Sequence, residues 1–330
     1  MKNKYVFVLV LLFSILIISF GFTNIYVSHN QPVEEEDFVV VTSFYPMYIA
    51  TMNVIGDTEG VTLKNLSEPQ TGCLHDFQLT PADMKLLSTA DVFIINGGGI
   101  ESFMEDIAKQ YPDLVVIEAC DGIELLCETE AHGHEHVHES EDVHEHEVED
   151  EHVEEHDDHN HDVNAHAWMS VKNYRKQVDN IANGLVGVAP QMSESFLANA
   201  GEYDRKLEEL QVEQENLLTL TQGEEVIMFH CAYDYVAEDL GLEVAFCMDL
   251  DEERQVSAGE VAEVLEVIEH HDIKYIFAEE LYGRDMCEMV QKEADVEVIY
   301  LDPLNRGEYE ADSYLIGMRN NLRLIDEVFR

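Results

Sequence analysis

TPADMKLLSTADVFIINGGG, residues 80–99, decides the fold class. Thr80 has the side chain of a helix N-cap, and Pro81 suits the first helical position because it has no N–H to leave unpaired, so the spacing predicts a helix over 81–88. Asp91-Val-Phe-Ile-Ile-Asn96 then reads as a buried strand, and Gly97-Gly-Gly99 as its sharp exit. A strand over 61–66, ending in the turn signal Pro69-Gln-Thr-Gly72, precedes this helix. Before it, Phe38-Val-Val-Val-Thr42 is a β-branched run read as the first strand. Ser43-Phe-Tyr-Pro46 opens a helix through Asn53, with Pro46 near its first turn. Strand, helix and strand in such close succession imply parallel βαβ units.

The same grammar recurs downstream. Strands are expected over 225–229, 244–248, 274–278 and 296–301, with helices over 232–240, 258–271 and 284–294. Between the two sets, residues 193–220 contain no proline and carry Phe196, Tyr203, Leu207, Leu210, Leu217 and Leu218 at helix-like intervals. A helix of that length spans about 42 Å at 1.5 Å per residue, enough to run along two lobes as a stiff connector. The expected architecture is therefore α/β: two parallel-sheet lobes, 38–190 and 223–330, joined by a long rigid helix within 191–222.

The ends and the composition restrict function further. Lys2 and Lys4 precede an uncharged apolar run from Tyr5 to Phe22, just adequate for a membrane span of about 20 residues. Residues 1–22 are expected to be a signal or membrane anchor, an uncleaved anchor being preferred, followed by an acidic linker over 23–37. The two lysines hold the N-terminus inside and so place the remainder outside the cytoplasm. Net charge is −51. Such a field repels nucleic acid and anionic lipid and gathers cations, which argues against nucleic-acid partners. Six cysteines in an exported chain leave both disulfides and free buried thiols open.

One stretch departs from globular composition. Residues 131–162 hold His132, His134, His136, His138, His144, His146, His152, His156, His159 and His161 among fourteen acids, with no Lys or Arg. Imidazole mixed with carboxylate leans toward zinc among the divalent metals. So few apolar residues cannot offset ordering entropy, so a disordered loop with auxiliary metal sites is expected, or else a merely solvated insertion, and not the tight site.

The tight site is better sought on loops that follow strands, at the carboxyl ends of a parallel sheet. His75 follows the strand over 61–66, His166 lies where the His-rich loop exits, His230 ends the strand over 225–229, and Asp302 ends the last strand. Three imidazoles and one carboxylate from four segments form a donor set suited to Zn²⁺. Each residue taken singly is more often structural; their common placement is what singles them out. His270 and His271 read as a polar helix terminus, favourable against the dipole.

Thr42-Ser-Phe-Tyr-Pro46, Gly72-Cys-Leu-His-Asp-Phe77, Ala90-Asp-Val-Phe-Ile-Ile-Asn-Gly-Gly-Gly99, Ala165-His-Ala-Trp168, Phe229-His230, Ile276-Phe-Ala-Glu279 and Leu301-Asp-Pro-Leu304 occur in an order that resembles the zinc/manganese solute-binding proteins of ABC transporters, the cluster A-I family. The likeness runs from about Val39 to the C-terminus. It implies two lobes joined by a rigid helix, with metal held in the cleft between them. His75, His166 and His230 match the family's ligand motifs, Asp302 its fourth ligand, and Glu279 an acid beside the site that orients a ligand imidazole. Histidine at 230, where manganese members carry Glu, implies the zinc branch. Two departures are Leu74 in place of the usual proline before His75, and thiols at Cys73 and Cys231 that offer alternative ligands.

The resemblance implies capture of extracytoplasmic Zn²⁺ for a membrane permease driven by an ATPase, with no enzymatic activity. Capture by neutral imidazole, whose reference pKa is about 6.5, is expected to weaken as pH falls through about 6. Alternatives are a zinc hydrolase, a surface zinc buffer or adhesin without a transporter, and manganese as the metal.

Overall fold

The computed structural model describes residues 37–71, 74, 77–127, 163–250 and 256–330. The apolar segment over 5–22, the His-rich tract over 131–162, His75 and Cys73 lie outside these residues. Among the described residues no helix is long and apolar enough to cross a membrane.

Two four-stranded sheets form the framework. The first comprises β1 (Phe38–Thr42), β2 (Val61–Asn65), β3 (Val92–Ile95) and β4 (Val115–Glu118) in the order β2-β1-β3-β4. The second comprises β5 (Glu225–Met228), β6 (Glu243–Cys247), β7 (Tyr275–Ala278) and β8 (Glu297–Tyr300) in the order β6-β5-β7-β8. β1 pairs in parallel with β3, and β5 with β7. Each lobe therefore places its first and third strands side by side at the centre, where the direction of strand winding reverses. The carboxyl ends of strands on either side of that reversal form the crevice where α/β folds bind ligands. Central strands must shed water on both faces; accordingly Val40, Val41, Phe93 and Ile94 are buried in the first sheet, and Val226, Ile227, Ile276 and Phe277 in the second.

The helices are α1 (Tyr45–Ile55), α2 (Pro81–Leu87), α3 (Met104–Gln110), α4 (Val171–Val188), α5 (Ser193–Glu215), α6 (Leu218–Thr221), α7 (Asp234–Leu240), α8 (Ala258–His271), α9 (Glu280–Glu293) and α10 (Ser313–Phe329). At α2 the Thr80 hydroxyl accepts from the Asp83 N–H and the Asp83 carboxylate accepts from the Thr80 N–H, a full capping box. α8 ends at His271, whose Nδ1 lies 2.9 Å from Glu225 Oε2.

Three expectations need correction. The rod expected over 193–220 is two helices, because at Leu217 the N–H turns to Gln214 O, three residues back, and the α-helical ladder ends. α5 is thus about 35 Å long at 1.5 Å per residue, not 42. The helix expected from Ala232 begins instead with a 3₁₀ turn over Cys231–Tyr233 before α7. α9 starts at Glu280, not Arg284. Gly283 is a poor helix former, but it lets the first turn lie against β7: a Cβ there would sit 3.0 Å from the Ala278 Cβ. Of the six cysteines left open by the sequence, Cys120, Cys127, Cys231 and Cys287 form no disulfide.

Residues 39–330 form one unit, and the reason is the number of bonds that cross between lobes. The Trp168 indole N–H donates to Pro303 O at 2.9 Å, and the Tyr314 hydroxyl donates to Trp168 O at 2.8 Å. Tyr174 stacks on Tyr314 at 3.6 Å. On another side, Tyr309 stacks on Tyr48 at 4.0 Å and accepts from Asn65 Nδ2, while the Tyr45 hydroxyl donates to Glu308 O. α5 adds Asn199, which donates to Ile55 O at the end of α1, and Glu213, which pairs with Arg319 of α10.

Candidate metal centre

His230 and Glu279 occupy the carboxyl ends of β5 and β7, the two central strands of the second lobe, so the winding reversal itself puts them together. His230 is fully buried and Glu279 is buried. The His230 Nδ1 lies 3.4 Å from Glu279 Oε2, and the other carboxylate oxygen, Oε1, lies 3.1 Å from Arg306 Nη2.

His166 arrives from the first lobe, just ahead of a 3₁₀ turn over Ala167–Met169. Its ring centroid is 5.2 Å from that of His230, with the planes at 85°. Asn164 fixes its protonation pattern by elimination. Asn164 Nδ2 donates to Cys231 O at 2.7 Å and to Asp234 Oδ2 at 3.1 Å, so the remaining Oδ1 must accept. That oxygen lies 2.9 Å from His166 Nδ1 and 3.0 Å from the His166 N–H. Nδ1 therefore carries the proton, and Nε2 is the nitrogen available to a metal.

Asp302 follows β8. Its backbone is clamped by Asn321, which accepts from the Asp302 N–H at 2.9 Å and donates to Asp302 O at 2.7 Å. One carboxylate oxygen accepts from the Leu304 N–H at 2.8 Å, across a turn in which Leu304 takes φ 56°. Although Asp302 borders open space, its carboxyl lies against the protein body. Desolvation there, with Glu279 adding to it, raises its pKa against the opposing Leu304 N–H and Arg306. A cavity of about 1190 Å³ opens beside this acid, with Glu279, Tyr282, Tyr300, Asp302 and Arg306 among its walls.

The structure thus brings His166, His230 and Glu279 together, with Asp302 on the same side of the second lobe; His75 lies outside the described residues. Among the described residues no group of three or more His, Cys, Asp or Glu stands ready to hold a metal. Cys231 is buried; its Sγ donates to Asp249 Oδ2 at 3.3 Å and lies 3.9 Å from His166 Nδ1. Burial, with Asp249 adding to it, drives this thiol far above its ordinary range.

Sequence spacing gave no warning of Asn164, Arg306 or Asn321, because each acts across the lobe contact or around a loop. The first lobe holds a further buried acid at its own winding reversal. Glu101 accepts from the Ser43 hydroxyl and the Asn96 N–H, each at 2.8 Å, and from the Gly97 N–H at 3.0 Å. Asn96 in turn donates to Ala165 O at 2.9 Å, beside His166.

The profile of the family described as ZnuA, "Zinc-uptake complex component A periplasmic", matches residues 40–328. A curated relative, "Zinc-binding protein AdcA" of Streptococcus pyogenes serotype M3, is 30% identical over 304 residues, covering 90% of this chain and 57% of its own length. The chain thus spans little more than half of that relative. "Manganese-binding lipoprotein MntA" of Halalkalibacterium halodurans is 24% identical over 293 residues, 87% of each chain. Among solved structures, an FpvC mutant from Pseudomonas aeruginosa superposes with a TM-score of 0.71 at 24% identity, covering 88% of this chain and 98% of that one. This last likeness shows a shared fold.

Proposed function

The chain belongs to the family of the periplasmic zinc-uptake complex component A, and from that premise we propose that it captures Zn²⁺ outside the cytoplasm and delivers it to a permease powered by an ATPase. The observation that carries this reading is the pair His166 and His230, one from each lobe, with ring centres 5.2 Å apart, the first with its Nδ1 on Asn164 Oδ1 and the second with its Nδ1 3.4 Å from Glu279. Two imidazoles that meet from opposite lobes supply nitrogen donors of the kind a borderline cation such as zinc requires. His75 and Asp302 complete the set, with Glu279 beside the His230 ring. Zinc is here the cargo. Its affinity follows from neutral nitrogen donors, and the name of the AdcA relative, which is a zinc-binding protein, agrees with that choice.

The N-terminal apolar segment secures the chain at the outer membrane face. The His-rich tract and the surrounding acids gather cations near the cleft. Titration calorimetry of the purified chain with zinc tests the reading. His166→Ala and His230→Ala should each weaken binding by more than the roughly 10–100-fold that losing an outer partner costs. Zinc affinity unchanged in the double variant would exclude the site.

A further inference from the structure

We propose that Asn96 is a positioning residue for His166, a role that rests on the zinc-capture reading above. Each lobe places the end of its first strand beside the end of its third. In the second lobe that crevice holds His230 and, directly after β7, Glu279. In the first lobe Asn96 stands directly after β3, the counterpart of Glu279, and the crevice is filled by the chain's own Glu101.

Glu101 returns to this place through three consecutive glycines. The middle one, Gly98, takes φ 67° and runs so close to the His166 segment that a Cβ on it would stand 3.4 Å from the Ala165 Cβ. The Glu101 carboxyl accepts from Ser43, after β1, and from the N–H groups of Asn96 and Gly97, after β3. Both central strand ends are thus tied to one buried side chain, at the position where α/β sheets otherwise bind a ligand. The first lobe's crevice is therefore a mount and not a second binding site.

What it mounts is the peptide before His166. Asn96 Nδ2 donates to Gly97 O and to Ala165 O, each at 2.9 Å. Carbonyl oxygens cannot donate, so that edge of the amide must be its nitrogen, and Oδ1 accepts from Gln177 Nε2 at 2.8 Å. One residue earlier, Asn164 O accepts from the Tyr235 hydroxyl of the second lobe at 2.6 Å. Consecutive carbonyls are held from opposite lobes, and His166 follows both. Losing the Asn96 tie lets the His166 backbone drift, in a site whose ligand distances must hold within about 0.2 Å.

The test is a double-mutant cycle on the affinity of the tightest zinc site, measured on the full chain by competition against a chelator. Asn96→Asp keeps the shape and the acceptor for Gln177 but removes both donations. It should weaken zinc binding by about 10-fold, the lower end of what a ligand's outer partners contribute. In a His166→Ala background the same substitution should change affinity by less than about 2-fold, because the ligand it positions is gone. A merely structural role would instead lower affinity equally in both backgrounds. Equal losses, or no loss in the native background, would overturn the proposal. Should Asn96→Asp not fold, Asn96→Ser, which removes the amide without adding charge, goes through the same cycle with the same deciding outcomes. His166→Ala alone separates the two readings. If it leaves zinc affinity intact, the capture reading falls and this proposal with it; if it weakens zinc and the effect of Asn96→Asp does not depend on it, only the proposal falls.

Discussion

Asn164 does more than its position two residues before a histidine suggests. Because its amide nitrogen is committed to the Cys231 carbonyl and to Asp234, its oxygen has no choice but to accept from His166. Asn164→Ala should cost about 10–100-fold in zinc affinity by calorimetry while His166 itself is unchanged. Glu101 is the other single side chain with a measurable signature. Burial pushes its carboxyl from 4.5 up to about 7, against the hydrogen bonds from Asn96, Ser43 and Gly97 that pull it down. The folded protein then holds this proton more tightly than the unfolded chain does. The stabilisation is complete below about pH 4.5 and is lost as pH rises through about 7, a total of roughly 3 kcal/mol at 1.36 kcal/mol per pH unit. Denaturant titrations of wild type and Glu101→Gln at pH 5 and pH 8 should show the advantage of the native residue shrinking by about that amount as pH rises. A constant difference would contradict it. The sequence marked His230 because strand ends are readable and His166 because it stands where the His-rich tract ends; it could not mark the links of Asn164 to Cys231 and Asp234, or of Arg306 to Glu279, which join residues far apart in the chain.

Among the elements, the loop after β8 is the most consequential. It carries Asp302 and Arg306 toward the cleft and Tyr309 into a stack with Tyr48 and Tyr45 of α1, at 4.0 and 6.0 Å. Tyr309→Ala removes the stack and the Asn65 hydrogen bond together, and should lower unfolding free energy by about 2 kcal/mol, whereas Tyr309→Phe should cost only about 1. Equal losses in thermal denaturation would mean that the ring itself contributes nothing. Strands and helices with plain punctuation were foreseeable: α8 runs 258–271 as the pattern implies, and α2 starts at Pro81 as its cap implies. α4 and α10 were not read, although each buries one side, with Tyr174, Val178 and Ile181 in the first and Tyr314, Met318 and Ile325 in the second. The end of α5 depends on a local switch in hydrogen bonding at Leu217 that no residue type announces.

For the molecule as a whole, a net charge of −51 is a standing repulsion. Raising ionic strength from about 0.01 to 0.15 M shortens the screening distance from about 30 to 8 Å, so calorimetric melting temperature should rise with salt. Deleting 131–162 removes fourteen of the acids, and should both flatten that response and lower the number of zinc ions bound while leaving the tightest site intact. Loss of the tight site on deletion would reverse the roles assigned to tract and cleft. That there are two lobes follows from the repeated strand and helix grammar. That each has the same strand order, and that many buried bonds join them, depends on contacts between distant segments.

Trp168 is the only tryptophan in the chain, fully enclosed, with its ring 5.0 Å from that of His166 and its N–H committed to Pro303 of the opposite lobe. Nature has thereby supplied a single fluorophore wired to both halves and resting against a proposed ligand. An ion arriving on that imidazole, or a slight parting of the halves, alters its surroundings, and emission from one indole records either event in the unlabelled protein.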